Sequence, residues 1–406
     1  MINKKAYELG SRPSKIREIA ERCALLKEKL GEDKVFDFSI GNPSVYPPKE
    51  LNTEIKNAIT NIDPVILHSY TSAQGLAETR KAIVDYLNKT YNVNESEDFI
   101  MLTHGASGAL AATFEALASK KDEYLVFAPY FPEYRVFAEK TGVKLVEVLP
   151  NENFLPDFLD FKKKINKNTK AVIFNSPNNP TGVVYDEHTI SEIAHILHKA
   201  EQKFKHPIYL ISDEPYRELV YKDMDYPFLT KYYDNSIVIY SFSKVLSIPG
   251  ERFGYVLLSN RMESKDEVFN AILGSARSEG YICSSTMLQK IIPNLLGKTA
   301  DIKQYAINKK LFEGMFDELG YEYVKGDGAF YILLKSLEPD ASHFCDVAQK
   351  YNIFVVPSDD FGVNGYVRVS YCVKEDTIKN SYEAFKSLNE YYEALKWKTL
   401  KKLEKE

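Results

Sequence analysis

One lysine in this sequence stands where an amine could do covalent chemistry. The run Ile237-Val238-Ile239-Tyr240 is apolar and largely β-branched, reads as a buried strand, and delivers Ser241-Phe242-Ser243 and then Lys244. A lysine at a strand's end is either a solvated loop residue or, given partners, a nucleophile. Arg252-Phe253-Gly254 follows, ahead of a second apolar run. Three other segments offer partners. The strand Ile208–Ser212 ends in Asp213-Glu214-Pro215-Tyr216, and a carboxylate at the tip of an apolar strand costs on the order of several kcal/mol unless paired, so Asp213 demands a cation. Ala171-Val172-Ile173-Phe174 runs into Asn175-Ser176-Pro177-Asn178-Asn179-Pro180-Thr181-Gly182, where prolines fix the backbone and Asn179 can turn its amide toward a ligand oxygen. In Gly365-Tyr366-Val367-Arg368-Val369-Ser370-Tyr371 an arginine interrupts an alternating strand, and its forked guanidinium suits a carboxylate.

The elements that must position these residues alternate in type. Lys15 to Leu30 carries Ile16, Ile19, Ala20, Cys23, Leu26 and Leu30 at helical spacing. Val35 to Ile40 alternates like a strand and runs into Gly41, where a tight turn or a ligand-facing loop begins. Helices are expected over Asn52 to Thr60 and Leu76 to Asn88, separated by an aromatic, polar loop in which Tyr70 either packs in a core or reaches an anionic ligand. Phe99 to Thr103 reads as a strand, and His104-Gly105-Ala106-Ser107-Gly108 leads into a helix through Leu117. Such a turn offers backbone N–H groups to a phosphate, with the Ser107 hydroxyl beside them, while His104 reads as a structural hydrogen-bonder. Strands at Tyr124–Ala128 and Lys144–Leu149 follow, the first ending at Tyr130-Phe131, and a helix covers Thr189 to Lys203. This rhythm predicts an α/β fold: a three-layer αβα large domain on a mostly parallel sheet, with a smaller α+β domain. Every candidate then falls at a strand's carboxyl end, where such sheets bind ligands.

Composition narrows the function. The chain has 406 residues with 44% apolar, enough for a large core, and 52 basic against 57 acidic residues leave a net charge of −5. That balance gives no footprint for nucleic acid or an anionic membrane. Cys23, Cys283, Cys345 and Cys372 are scattered without zinc or disulfide spacing, which fits a reducing compartment. With neither a signal-like run in Met1 to Gly10 nor a long apolar span, a cytoplasmic protein that takes small molecules is expected.

The constellation has the parts that pyridoxal 5′-phosphate requires: an amine for a Schiff base, a carboxylate for the pyridine nitrogen, donors for the phenolic oxygen, a phosphate cradle and a stacking face. No metal is called for. Asn179-Pro180-Thr181-Gly182, Ser212-Asp213-Glu214-Pro215-Tyr216, Ser241-Phe242-Ser243-Lys244 with Arg252-Phe253-Gly254, and Val367-Arg368-Val369-Ser370 resemble, in order, the motifs of class I/II aminotransferases of pyridoxal phosphate fold type I. The likeness runs from about Phe38 to Tyr371. It implies Lys244 as the Schiff-base lysine, Asp213 as the pyridinium partner, and Asn179 and Tyr216 at the phenolic oxygen. It further implies Gly105, Ala106, Ser107, Ser241, Ser243 and Arg252 around the phosphate, and Phe131 as the stacking aromatic in preference to Tyr130. Gly41 matches the mobile substrate loop, and Arg368 the substrate carboxylate site. Tyr70 matches a tyrosine that reaches the neighbouring subunit's phosphate, which implies a homodimer.

The expected activity is amino transfer between an L-amino acid and a 2-oxo acid; a carbon–sulfur β-lyase or a decarboxylase on the same fold is the alternative. The expected division is 1–44 as N-terminal arm and part of the small domain, 45–285 as the large cofactor-binding domain, and 286–406 as the small domain. Residues from Asn380 to Glu406 read as a charged, solvated helix. Arg277 either meets a distal carboxylate of an acidic substrate or is an interface or surface arginine.

Overall fold

A computed structural model describes residues 2–11 and 15–403 of the chain. The strands, in chain order, are β1 (Phe36–Asp37), β2 (Ile100–Thr103), β3 (Glu123–Phe127), β4 (Lys144–Val148), β5 (Thr169–Asn175), β6 (Tyr209–Asp213), β7 (Ser236–Ser241), β8 (Gly254–Leu258), β9 (Tyr331–Lys335), β10 (Ile353–Phe354), β11 (Val356–Pro357) and β12 (Tyr366–Ser370). Seven form one sheet in the order β2-β8-β7-β6-β5-β3-β4. Only β8 runs against its neighbours. Successive residues of the central strands alternate between two cores. Leu210 and Val238 pack on one face with the helices Ala77–Tyr91 and Glu187–Phe204, and Ile211 and Ile239 on the other with Gly105–Leu117 and Lys265–Ser278. Both faces are therefore covered, which is why these strands read as continuous apolar runs. The three-layer architecture is as the strand and helix rhythm predicts.

A third core gathers Phe38, Phe312, Phe316, Phe330, Phe344 and Phe385 around the antiparallel sheet β11-β12-β9 and the pair β1-β10. Leu288, Ile291, Ile292 and Leu295 pack instead with the seven-stranded sheet.

Two expectations are corrected. The strand predicted over Val35 to Ile40 pairs in register only at Phe36 and Asp37, because beyond them the backbone turns its carbonyls to other duties: Ser39 O accepts from Arg368 and Gly41 O from Lys244. The helix predicted as a solvated face from Asn380 is the helix Tyr382–Leu403, and Phe385, Leu388 and Tyr392 are buried on one side of it. Their spacing of three and four residues is that of a core-facing stripe. Residues 404–406 of that expectation lie outside the described residues.

Candidate active site

Sheet register brings the candidate residues to one edge. Ser241 at the end of β7 and Thr103 at the end of β2 both pair with Gly254, the first residue of the antiparallel β8. Arg252 therefore enters β8 at the edge where the parallel strands finish. Asn175 pairs with Asp213, and β6 lies beside β7. These ends surround a cavity of about 260 Å³. Gly41, Ala106, Ser107, Phe131, Asn179, Asp213, Tyr216, Ser241, Ser243, Lys244, Arg252 and Arg368 all line it.

Lys244 lies in a single helical turn, Phe242–Val245, opened by Ser241, whose Oγ accepts the Ser243 N–H at 3.2 Å. Its Nζ donates to Gly41 O at 2.8 Å. Burial, the largest influence, pulls its pKa from 10.5 down to about 8, so the amine is neutral over much of the mildly alkaline range. Asp213 is 3% exposed. Oδ2 accepts from the Tyr134 hydroxyl at 2.6 Å, and Oδ1 is buried without a partner. Burial raises this carboxyl from 3.8 to about 7, against the lowering pull of the Tyr134 bond. A cation against Oδ1 would reverse that shift.

On the phosphate side, Gly105 has φ +71°, and a Cβ there would stand 3.0 Å from Arg252 Nη2. Glycine thus lets the guanidinium lie against the start of the helix Gly105–Leu117, beside Ser107. Ser241 Oγ donates to Ser243 Oγ at 2.8 Å across the cradle. On the opposite side Arg368, 2% exposed, donates from Nη1 to Asn179 Oδ1 at 3.1 Å and from Nη2 to Ser39 O at 2.6 Å, while Nε is open. With its oxygen taken by Arg368, Asn179 has its amide N–H₂ left for a ligand. The Tyr331 ring lies 4.6 Å from the Arg368 guanidinium, and its hydroxyl is 3.1 Å from that of Tyr216. Gly41 must be glycine here: a Cβ would fall 1.9 Å from the Tyr331 oxygen.

Phe131 and Tyr130, alike in sequence, separate in space. Phe131 lines the cavity, whereas the Tyr130 hydroxyl donates to Glu147 at 2.6 Å and accepts from Arg135. Tyr70 is 83% exposed and is not among the residues lining the cavity. Arg277 sits exposed in the last turn of Lys265–Ser278, also off the cavity. His104 departs from its expected part: Nδ1 is buried without a partner, and the ring packs 5.0 Å from that of Tyr281.

Sequence reasoning missed Tyr134, Asn175 and Tyr331. Asn175 ends β5, donates to Asp213 O at 2.7 Å and accepts the Asn179 N–H at 2.7 Å, so it locks two ligand-bearing turns together. Its place at a strand terminus, beside the Asn-Pro turn, was the available signal. Tyr134 and Tyr331 carried none, for each reaches the site from a distant element.

The residues fit pyridoxal phosphate on the chemistry of the donors present: an open buried carboxylate oxygen, an amine of lowered pKa, and a glycine turn backed by a guanidinium. The comparisons agree. The class I and II aminotransferase family model matches residues 33–385. A probable aspartate aminotransferase of Methanocaldococcus jannaschii is 31% identical over 93% of this chain and 98% of its own length. Among solved structures, an amino transferase from Eubacterium rectale is 44% identical with a TM-score of 0.94, covering 97% of this chain and 99% of that one. An aspartate aminotransferase from Thermotoga maritima is 26% identical with a TM-score of 0.84, covering 95% and 99%. With a family match across most of its length and its candidate residues gathered in one cavity, this chain belongs to the class I and II aminotransferases and works with pyridoxal 5′-phosphate.

Proposed function

We propose that Lys244 is the residue to which the cofactor is attached and the base that moves the substrate's proton. The observation that carries this reading is the shared cavity of Lys244 and Asp213, which an amine of lowered pKa and a buried carboxylate with one oxygen open both line. Bound pyridoxal phosphate supplies the electron sink that allows a Cα–H bond of an amino acid to break. Asp213 holds a proton on the ring nitrogen through Oδ1, while Tyr134 fixes its other oxygen. Asn179 and Tyr216 bind the phenolic oxygen. Gly105, Ala106, Ser107, Ser241, Ser243 and Arg252 hold the phosphate, and Phe131 keeps the ring's plane. Arg368, oriented by Asn179 and the Tyr331 face, binds the α-carboxylate. With the cofactor bound, Lys244 Nζ would take up the α-proton and deliver it to the cofactor's aldehyde carbon, across the amino nitrogen from Cα.

The working unit in this reading is a homodimer with Tyr70 contributed across the interface, supported by the exposure of Val65, Ile66, Tyr70 and Ile282. Two domains divide the chain as 1–44 with the C-terminal part, and 45 onward as the large unit. We set the second boundary near residue 297 rather than 286, because Leu288 to Leu295 pack on the large sheet. A cytoplasmic setting is supported by Cys23, Cys345 and Cys372, buried as free thiols. No described helix is long and apolar enough to cross a membrane.

Several relatives are named aspartate aminotransferases. In this cavity the lining cations are Lys244, Arg252 and Arg368, and each has a task above. Among the described residues of this chain no further cation lines the cavity to meet a second substrate carboxylate, and we propose L-amino acids with uncharged side chains as the preferred donors. A panel of amino donors against 2-oxoglutarate and pyruvate tests this. Neutral donors should exceed aspartate in kcat/KM, and Arg277→Ala should change neither by more than about twofold. A strong aspartate preference lost in Arg277→Ala would contradict it.

A further inference from the structure

The loop bearing Tyr70 is anchored from the helix Thr286–Ile291. Gln289, on the helix Thr286–Ile291 and fully buried, accepts the Leu76 N–H at 2.6 Å through Oε1. Through Nε2 it donates to Ser284 O at 2.9 Å, with Thr71 Oγ1 and Ser284 Oγ each at 3.2 Å. Its backbone carbonyl accepts from Thr79 Oγ1 at 2.7 Å. On the same short helix Thr286 Oγ1 donates to Ser69 O at 2.6 Å. Anchors thus sit on both sides of Tyr70, at Ser69, Thr71 and Leu76, while the Tyr70 ring is left in the open. A buried amide earns its place by fixing geometry, since desolvating it costs more than it returns unless every bond is made. The geometry fixed here is that of an exposed phenol. Gln289 ties the same loop to Ser284, two residues beyond the exposed Ile282, so it joins two segments of one apolar face.

We infer that Gln289 is a positioning residue for the neighbouring subunit's site: it sets the loop 69–76 so that Tyr70 meets the cofactor phosphate in the second copy. This rests on the reading of the protein as a homodimer with Tyr70 shared across the interface. A competing route runs inside the subunit, because Leu102 N–H donates to Gln74 O at 2.9 Å and β2 leads on to the Gly105 turn. The test must separate the two.

Retention of pyridoxal phosphate, measured as cofactor reducible by borohydride onto Lys244 at graded free cofactor, is the readout. Tyr70→Phe and Gln289→Met should each weaken it about tenfold, the scale of one hydrogen bond to a charged group, and the double variant should be no worse than Tyr70→Phe alone. Differently tagged hybrid dimers then assign the route. In a dimer of one Gln289→Met chain and one Lys244→Ala chain, the surviving lysine faces Tyr70 from the chain with native Gln289, and retention should be that of the native protein. In a dimer of one native chain and one Lys244→Ala, Gln289→Met chain, retention should fall about tenfold. The reverse pattern, or equal values in both hybrids, overturns the inference. If Gln289→Met does not fold, Thr286→Val, which removes the bond to Ser69, goes through the same hybrids with the same expected order. A Tyr70→Phe variant with native retention overturns the shared-site reading and this inference together. Weak retention in Tyr70→Phe with native retention in Gln289→Met overturns this inference alone.

Discussion

Asp213 and Glu214 are consecutive carboxylates at the end of β6, 3% and 0% exposed, and they live in opposite electrostatic settings. Glu214 faces away from the cavity into a charge cluster closed within the chain. Ser212 Oγ donates to it at 2.7 Å and Arg217 Nε at 2.6 Å. Arg217 also donates from Nη1 to the Tyr255 hydroxyl at 3.0 Å and lies 4.3 Å over the Tyr240 ring. Arg217 Nη2 and Glu218 Oε2 are left without a partner in that cluster, and both residues line a cavity of about 50 Å³. Asp213 has a tyrosine and an open oxygen, with no cationic side chain bonded to it. The closed cluster holds the fold together; the open one waits on a ligand's charge. A buried group whose demand is unmet by its own chain marks where chemistry enters.

The largest effect expected is that of Lys244→Ala, which should lower transamination by at least about 10³-fold while the protein still folds and binds some cofactor, as steady-state assay and gel filtration would check. Next come the two neighbours, and they should part company. Glu214→Gln leaves Arg217 buried without its counter-charge and should cost about 3–5 kcal/mol in denaturant unfolding. Asp213→Asn should lower kcat roughly 10²-fold or more yet stabilise protein stripped of cofactor. The sign follows from linkage. With a folded pKa of about 7 against 3.8, Asp213 keeps a proton that the unfolded chain gives up, so stability falls as pH rises between those values, by up to about 4 kcal/mol. Asn at 213 removes that fall. Lys244 acts in the opposite sense and higher up: stability of the stripped protein rises with pH between about 8 and 10.5. Urea titrations of both variants from pH 5 to 10 would break the comparison if Asp213→Asn and Glu214→Gln shifted stability alike. Smallest is Arg368→Lys, expected to reduce kcat/KM about tenfold to a hundredfold through KM with cofactor retention unchanged, since a lysine cannot make the two-pronged contact.

How much of this was legible in the sequence depended on chain locality. Lys244, Asp213 and Asn179 each lie within a few residues of the end of an apolar run, so strand and site are read from one window. Gly105 to Ser107 follow the same rule. Tyr134 was invisible because its bond to Asp213 joins residues brought close only by sheet register and the packing of Glu133–Thr141. Nothing local to Tyr331 tells that its ring backs Arg368. The reversed direction of β8, which delivers Arg252 to the right edge, is likewise a property of pairing. The C-terminal helix misled for another reason: its charged residues mask a narrow apolar stripe whose partners, Phe312 and Phe316 among them, lie far upstream.

The attachment of the cofactor to Lys244 is tested most directly by borohydride reduction of the holoenzyme followed by peptide mapping. One pyridoxyl group per chain, carried on the peptide containing Lys244 and lost in Lys244→Ala, is the expected result. A label on any other lysine, or a Lys244→Ala protein that is still labelled one to one, would contradict the account.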